Sequence, residues 1–443
     1  MPFRVSSDKF VIFSYFVGII LAGSLLLSLP FAWKGSVSLP YIDALFTATS
    51  AVCVTGLITV DTALYSRFGQ AVIVLLIQFG GLGIITFATM YLAGPRRKIS
   101  LVNRAIIKDY YLEEVEYNPK VIIRQILLVT LAIEGMGAFV LWLSFRGLPD
   151  SLFVAVFHAV SAFCNAGFST FSTNLEGYVG DLPVNLTMML LIVLGGLGFI
   201  VFRDLLKRWT GKKRRLSTHT RIVLAMTAFL ILGGALVFFI LESGHAFKGL
   251  STGTKILASF LQSVAPRTAG FDTVLPAKMG EASTLVTMIL MFVGASPGST
   301  GGGIKTTTFF ILVMAALRGV DEGGRLNVGQ RAISPASTLK ALGILGKGLL
   351  IVFVSASAIL LLERQALAAG RFGLIDILYE VISAFGTVGL SLGPTPMLVP
   401  AAKFILILTM FAGRVGLFAM ALPSAKRHLA RYASLPEAGV LVG

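Results

Sequence analysis

Long apolar runs alternate with short ones along this chain. Runs of roughly 20 apolar residues, enough to cross a hydrocarbon core, fall near residues 10–32, 71–92, 121–143, 184–202, 221–241, 283–314, 341–362 and 401–425. They come in pairs, and between the members of each pair lies an apolar segment of about 12 residues, too short to span. The pattern predicts a span, a re-entrant helix and a second span, four times over. Irregular backbone at membrane depth is tolerated only where protein or a water-filled cavity satisfies it, so each short helix is expected to end inside the protein.

Each short helix closes on a glycine in a recurring segment: SAVCVTGL (Ser50 to Leu57), SAFCNAGF (Ser161 to Phe168), SVAPRTAGF (Ser263 to Phe271) and SAFGTVGL (Ser383 to Leu390). The glycines are Gly56, Gly167, Gly270 and Gly389, spaced 111, 103 and 119 residues apart. The serine precedes its glycine by six residues in three copies and by seven in the third, where the extra residue falls beside Pro266 and predicts a bulge or altered turn. Self-similarity at so long a period is an architectural signal. It predicts an all-α polytopic membrane protein with eight transmembrane helices and four re-entrant pore helices around one central pore. The copies divide as residues 1–95, 96–210, 211–325 and 326–443, the last including a cytoplasmic C-terminal tail.

Composition agrees. Hydrophobic residues make up 56% and charged residues 13% of the chain, against about 25% charged in soluble domains. With both termini on one side, that side collects 25 of the 37 Lys and Arg, and the other side ten. The basic side is therefore cytoplasmic. A sequence pI near 10 does not indicate nucleic-acid binding, because the basic residues are spread over loops and no nucleic-acid module accompanies them. The run Lys212 to Arg215 is read as a topology determinant rather than a lipid or partner site.

The second spans carry the next information. They read QFGGLGI (Gln78 to Ile84), VLGGLGF (Val193 to Phe199), FVGASPGSTGGGIK (Phe292 to Lys305) and FAGRVGLF (Phe411 to Phe418). Aligned on Gly81, Gly196 and Gly413, Leu82 and Leu197 of the first two copies face Arg414 in the fourth. An intramembrane arginine is costly unless it faces the interior or a wet cavity, so Arg414 is expected to project towards the pore, in preference to an ion pair with Glu134. In the third copy, glycine and proline from Gly294 to Gly303 forbid a continuous helix, so residues 294–305 are read as a break that lines the cavity and serves as a candidate gate. A phosphate-binding loop is a poor fit, since Ile304 takes the lysine position and no strand precedes it.

Other polar residues receive structural readings. Asp43 and Asp376, each thirteen residues before its glycine, are expected to cap the positive ends of the short helices rather than bind ions. Cys53 and Cys164 are expected to pack as small apolar groups, His158 to be a satisfied buried histidine, and Asn165 to back the turn. No nucleophile is accompanied by a base and no metal-ligand cluster stands out, which argues against an enzyme.

This combination resembles the Trk/Ktr/HKT superfamily of cation transporters over roughly residues 10–430. The first copy begins almost at the N-terminus, a pattern similar to the KtrB-type membrane subunits of bacterial potassium uptake systems rather than to TrkH-type chains with two leading helices. The resemblance implies a selectivity filter formed by Val54, Thr55 and Gly56, by Asn165, Ala166 and Gly167, by Thr268, Ala269 and Gly270, and by Thr387, Val388 and Gly389. It implies a gate at Gly294, Ser296, Gly298, Ser299, Thr300, Gly301, Gly302, Gly303 and Lys305, with Arg414 as pore arginine. It further implies potassium as the transported ion, possible sodium activation, a homodimer, and a separate cytoplasmic KtrA-type nucleotide-binding ring. Only Thr387, Val388 and Gly389 approach the TVG core of potassium channels, which predicts a filter of modest selectivity. A sodium-coupled or sodium-permeable secondary transporter is the alternative, although such proteins are typically built from inverted repeats.

Overall fold

A computed structural model of the chain describes residues 7–93, 119–211, 215–321, 324–328 and 331–416. The basic stretch 94–118, Lys212 to Arg214 and the end of the last predicted span with the C-terminal tail lie outside the described residues.

In chain order the helices are α1 (Ser7–Leu27), α2 (Tyr41–Cys53), α3 (Arg67–Ala93), α4 (Pro119–Ser144), α5 (Ser151–Phe163), α6 (Leu182–Leu197), α7 (Phe199–Trp209), α8 (Thr218–Glu242), α9 (Thr252–Val264), α10 (Glu281–Phe292), α11 (Thr306–Arg318), α12 (Pro335–Leu362), α13 (Arg364–Ala368), α14 (Leu374–Gly386) and α15 (Pro400–Phe411). One departure from an all-helical chain is a short antiparallel ribbon, Leu326–Val328 against Arg331–Ile333.

Among the described residues four helices are long and apolar enough to cross a membrane: Phe10–Leu27, Ile123–Ser144, Thr218–Glu242 and Pro335–Leu362. Only 22–33% of each apolar window is buried within the protein. Residues such as Leu131, Phe229, Phe353 and Leu361 are 60–74% exposed, and a face that apolar suits lipid rather than water. The short helices α2, α5, α9 and α14 are the reverse. Phe46, Phe157, Leu261 and Phe385 are almost fully buried, whereas Tyr41, Leu152 and Leu374 near the helix starts are exposed, so the C-terminal halves of these helices lie inside the protein.

The second spans are less regular than the hydropathy pattern predicts. Helix α3 is continuous. The second copy was expected to run unbroken through 184–202, but α6 stops at Gly198 and turns 96° into α7. Gly198 has φ +88°, and an added Cβ there would lie 2.6 Å from the Pro297 carbonyl oxygen, so the bend makes room for the broken segment of the third copy. That third break, expected from its glycines, separates α10 from α11 as predicted. In the fourth copy α15 passes into one π-helical turn at Ala412–Gly416.

Candidate functional site

The four recurring glycines meet in a closed ring. A Cβ added to Gly56 would press on the Ala166 carbonyl oxygen, one on Gly167 on the Ala269 oxygen at 2.9 Å, one on Gly270 on the Val388 oxygen, and one on Gly389 on the Thr55 oxygen. Each glycine therefore abuts the carbonyl just before the next glycine, and the fourth copy closes on the first. The glycines have φ between +70° and +96°, a region costly for residues with a side chain.

The turn before each glycine has a common shape. The residue two positions earlier, Val54, Asn165, Thr268 or Thr387, is left-handed with φ between +51° and +74°. In three copies the next amide reaches back to the serine carbonyl: Thr55 to Ser50 at 2.8 Å, Ala166 to Ser161 at 2.7 Å and Val388 to Ser383 at 2.9 Å. The third copy differs as its extra residue predicts. There Ala269 and Gly270 both donate to the Ala265 carbonyl, at 2.9 and 3.2 Å, and Ser263 leaves the turn to donate to Leu230 and Ile231 on α8. The serine hydroxyls of the first and last copies accept the Gly56 and Gly389 amides at 3.0 Å. That contact locks the glycine against the short helix whose C-terminal, negative end points at the ring.

On the short-helix side of the ring lies the segment between α10 and α11. It is folded tightly rather than loose. Gly294 donates to Ile304 at 2.8 Å, Ser296 to Gly196 at 3.0 Å, and Gly298 accepts from Phe199 at 3.0 Å. Thr300 Oγ1 donates to Phe163 and Gly195 carbonyls at 3.1 Å, Ser299 Oγ to Ser296, and Ser296 Oγ meets Thr306 Oγ1 at 3.1 Å. A Cβ on Gly301 or Gly302 would meet Thr268 Oγ1 or Thr387 Oγ1, so the segment touches the underside of the ring. Gly303, with φ +64°, backs onto Gly386.

Two cations serve this segment's carbonyls. Lys305 Nζ donates to Gly301 at 2.5 Å and to Gly302 at 3.3 Å. Arg414 is 4% exposed; its Nη1 donates to the Thr300 carbonyl and its Nη2 to the Gly80 carbonyl at 2.9 Å. The alternative pairing with Glu134 is absent: that carboxylate accepts from Gln78 Nε2 at 3.0 Å and from Cys164 Sγ. The positions equivalent to Arg414 lie one residue away from those expected from the sequence. Gly80, Gly195 and Gly413 are the equivalent positions, since a Cβ on each would strike the Val52, Phe163 or Phe385 carbonyl, each four residues before a ring glycine. Arg414 thus stands where the earlier copies have Gly81 and Gly196, not leucine.

On the other side of the ring a funnel of about 280 Å³ opens, lined by the four glycines and by Asp61, Glu176 and Asp272. Burial, and then the neighbouring Glu176, push the Asp272 carboxyl up to about 7.

The TrkH family profile, described as a cation transport protein, matches residues 1–431. The chain belongs to this family. It is 37% identical to the potassium/sodium uptake protein NtpJ of Enterococcus hirae, covering 99% of this chain and 98% of that protein. It is 38% identical to the Ktr system potassium uptake protein B of Bacillus subtilis, covering 93% and 92%. A crystal structure of the potassium transporter TrkH from Vibrio parahaemolyticus has a TM-score of 0.74 at 20% identity, covering 95% of this chain and 85% of that one, a likeness of fold. Membership in the TrkH family and the lipid-suited helices make this an all-α, multi-pass membrane protein.

Within this TrkH-family chain several polar residues do work that sequence reasoning missed or assigned differently. Asp43 is not a cap: its Oδ1 accepts from Lys403 Nζ at 2.8 Å, a buried pair that ties α15 to α2 where the fourth copy meets the first. Asp376 is the cap expected, accepting from the Gly373 amide at 2.7 Å. Glu380, on α14, accepts from Ser391 Oγ at 2.6 Å, from the Leu392 amide at 3.1 Å and from Thr395 Oγ1, and so braces the chain just past Gly389. A carboxylate inside the apolar run LIDILYEVISAFG was the signal available in the sequence. His158 is satisfied as expected, against Val154 O at 2.8 Å and Ser169 Oγ at 2.9 Å. Asn165 backs its turn, its amide nitrogen oriented to donate to Ala162 and Ile192 carbonyls at 3.0 and 3.1 Å. Cys164 is more than filler, because Sγ also donates to Gln78 Oε1 at 3.3 Å.

Proposed function

We propose that this protein takes up potassium across the cytoplasmic membrane through a channel-like pore, with the ring of Gly56, Gly167, Gly270 and Gly389 as its selectivity filter. The observation that carries this reading is the closure of the ring, each glycine against the carbonyl of the next copy. Glycine lets consecutive carbonyls turn towards one axis, where they replace an ion's hydration water. Val54, Thr55, Asn165, Ala166, Thr268, Ala269, Thr387 and Val388 supply the remaining backbone of the filter. The names of the relatives from Bacillus subtilis and Enterococcus hirae support potassium as the cargo, and the latter's adds sodium.

The segment from Gly294 to Lys305 is the gate in this reading, with Arg414 and Lys305 holding it beneath the filter. Both side chains occupy carbonyls that would otherwise attract a passing ion and add positive charge beneath the ring, so this arrangement opposes conduction. Opening requires a second arrangement favoured from outside the membrane. A separate cytoplasmic nucleotide-binding subunit, docked on basic cytoplasmic loops of a homodimer, would supply that bias, with both termini on the cytoplasmic side. The division into four copies with boundaries near residues 95, 210 and 325 belongs to the same proposal.

Rubidium uptake in cells lacking their own potassium uptake systems, with and without external sodium, tests this reading. Saturable rubidium uptake that sodium does not abolish is expected. Uptake of sodium alone would replace potassium as the cargo, and a strict sodium requirement at every rubidium concentration would favour coupled transport.

A further inference from the structure

Two residues past each ring glycine stand Ile58, Ser169, Asp272 and Ser391. The two serines are tied inward: Ser169 Oγ meets His158 Nε2 at 2.9 Å and accepts the Phe171 amide at 3.0 Å, while Ser391 Oγ donates to Glu380 and accepts from the Gly393 amide at 2.9 Å. Asp272 is different. It is 7% exposed, its Oδ1 has no hydrogen-bond partner, and no lysine or arginine pairs with it among the described residues. A buried carboxylate oxygen without a partner is expensive, and Glu176, lining the same funnel, raises that expense.

A second orphan oxygen belongs to a residue lining the same funnel. Asn174, held left-handed at φ +51°, donates its Nδ2 to the Gly270 carbonyl at 3.3 Å, and the next amide, Leu175, donates to the Asp272 carbonyl at 3.0 Å. This strap from the second copy leaves Asn174 Oδ1 buried and without a partner. Both residues line the funnel. Two unpartnered oxygens, one of them a carboxylate, are hard donors of the kind that bind hard cations, and the funnel they line supplies access.

We propose that Asp272 and Asn174 hold an alkali cation at the funnel wall beside Gly270, a site distinct from the ring itself. Its occupancy would bear on conduction, because Asn174 grips the Gly270 carbonyl with the same amide group whose oxygen faces the ion. The binding proposal stands on geometry alone; its link to conduction rests on the ring being the filter.

Equilibrium binding of radiolabelled sodium and, separately, rubidium to the purified full-length chain tests it. D272N should remove one ion per chain, and N174A should raise the half-saturating concentration of that ion about tenfold, the scale of one lost ligand at a small site. D272E should restore binding in part. The isotope that shows the loss identifies the ion. Unchanged stoichiometry and half-saturation in both D272N and N174A would overturn the site. So would a loss in D272N that E176Q matches and that high N-methylglucamine chloride abolishes, because that is the signature of a screened field rather than a ligand. In rubidium uptake, D272N should raise the half-saturating external concentration about tenfold; uptake missing from the unmodified protein would count against the proposed function while leaving the binding result to stand.

Discussion

The ring of glycines and the segment beneath it contain the same residue type used in opposite ways. In the ring, one glycine per copy takes a left-handed conformation and presses on the carbonyl of the next copy. The contact is repeated around an axis, and the C-terminal halves of the short helices behind it are mostly buried. In the segment from Gly294 to Gly303, five glycines cluster in one copy, and the chain is held by single contacts to several neighbours: Thr300 to α5 and α6, Gly298 to α7, Arg414 from the fourth copy. Repeated, mutually supporting contacts make a structure with one arrangement, whereas a set of individually weak, heterogeneous ones of about 1 kcal/mol each can be exchanged for another set. The first suits selection among ions and the second suits opening and closing.

That contrast is open to attack at both ends. Substituting alanine at Gly56 or Gly389 should have the largest effect. The strain of a left-handed alanine costs about 1–2 kcal/mol before its Cβ meets the Thr55 or Ala166 carbonyl, and rubidium uptake at normal membrane abundance should fall more than about tenfold. Retained uptake and retained potassium preference in both variants would remove the ring from the conduction path. Next, Lys403→Met strands Asp43 in a buried position where the fourth copy closes on the first; loss of one partner of a buried pair costs roughly 3–5 kcal/mol. A marked drop in the detergent-solubilised melting temperature is expected, and an unchanged one would show that ring closure does not depend on this pair.

Deleting Gly298–Gly303 should leave the ring and free its underside. Basal rubidium flux is expected to rise severalfold; unchanged flux with unchanged regulation would deny the segment a gating role. Arg414 separates the two regions more finely. Replacement by Gln or Ala should change maximal flux more than half-saturation, and Arg414→Gly, which restores the residue of the first two copies, should act in the same direction. If these variants instead fail to assemble, the arginine is structural. The smallest effect belongs to Thr300→Val, which removes the hydroxyl bonds to Phe163 and Gly195 carbonyls; a modest rise in basal flux, about 1 kcal/mol of bias towards opening, is the expected outcome.

Much of the architecture was legible in the chain itself. Apolar length distinguishes helices that can cross from helices that cannot, and that distinction survives folding because lipid and protein interior demand it of local sequence. The glycines were legible for a related reason: the left-handed turns at Gly56, Gly167, Gly270 and Gly389 leave few other residues available. The extra residue beside Pro266 likewise announced the changed turn of the third copy. By contrast, the bend at Gly198 depends on a neighbour 99 residues away, the Pro297 carbonyl, and one glycine in an apolar run does not reveal what will approach it. The one-residue shift that puts Arg414 opposite Gly81 and Gly196 was hidden because GG followed by Leu-Gly can be aligned in two registers, and only contact with the Val52, Phe163 and Phe385 carbonyls chooses between them.

Sequence alone therefore determined the membrane class, the short helices, the glycine turns and the broken third copy, all of which follow from local backbone freedom and from the length of apolar segments. Tertiary structure decided which groups satisfy one another: Arg414 with Thr300 and Gly80, Lys305 with Gly301 and Gly302, Lys403 with Asp43, while Asp272 Oδ1 and Asn174 Oδ1 find no partner among the described residues. A buried polar group takes whichever partner the assembled copies bring within reach, and that is a property of distances between segments that lie far apart along the chain.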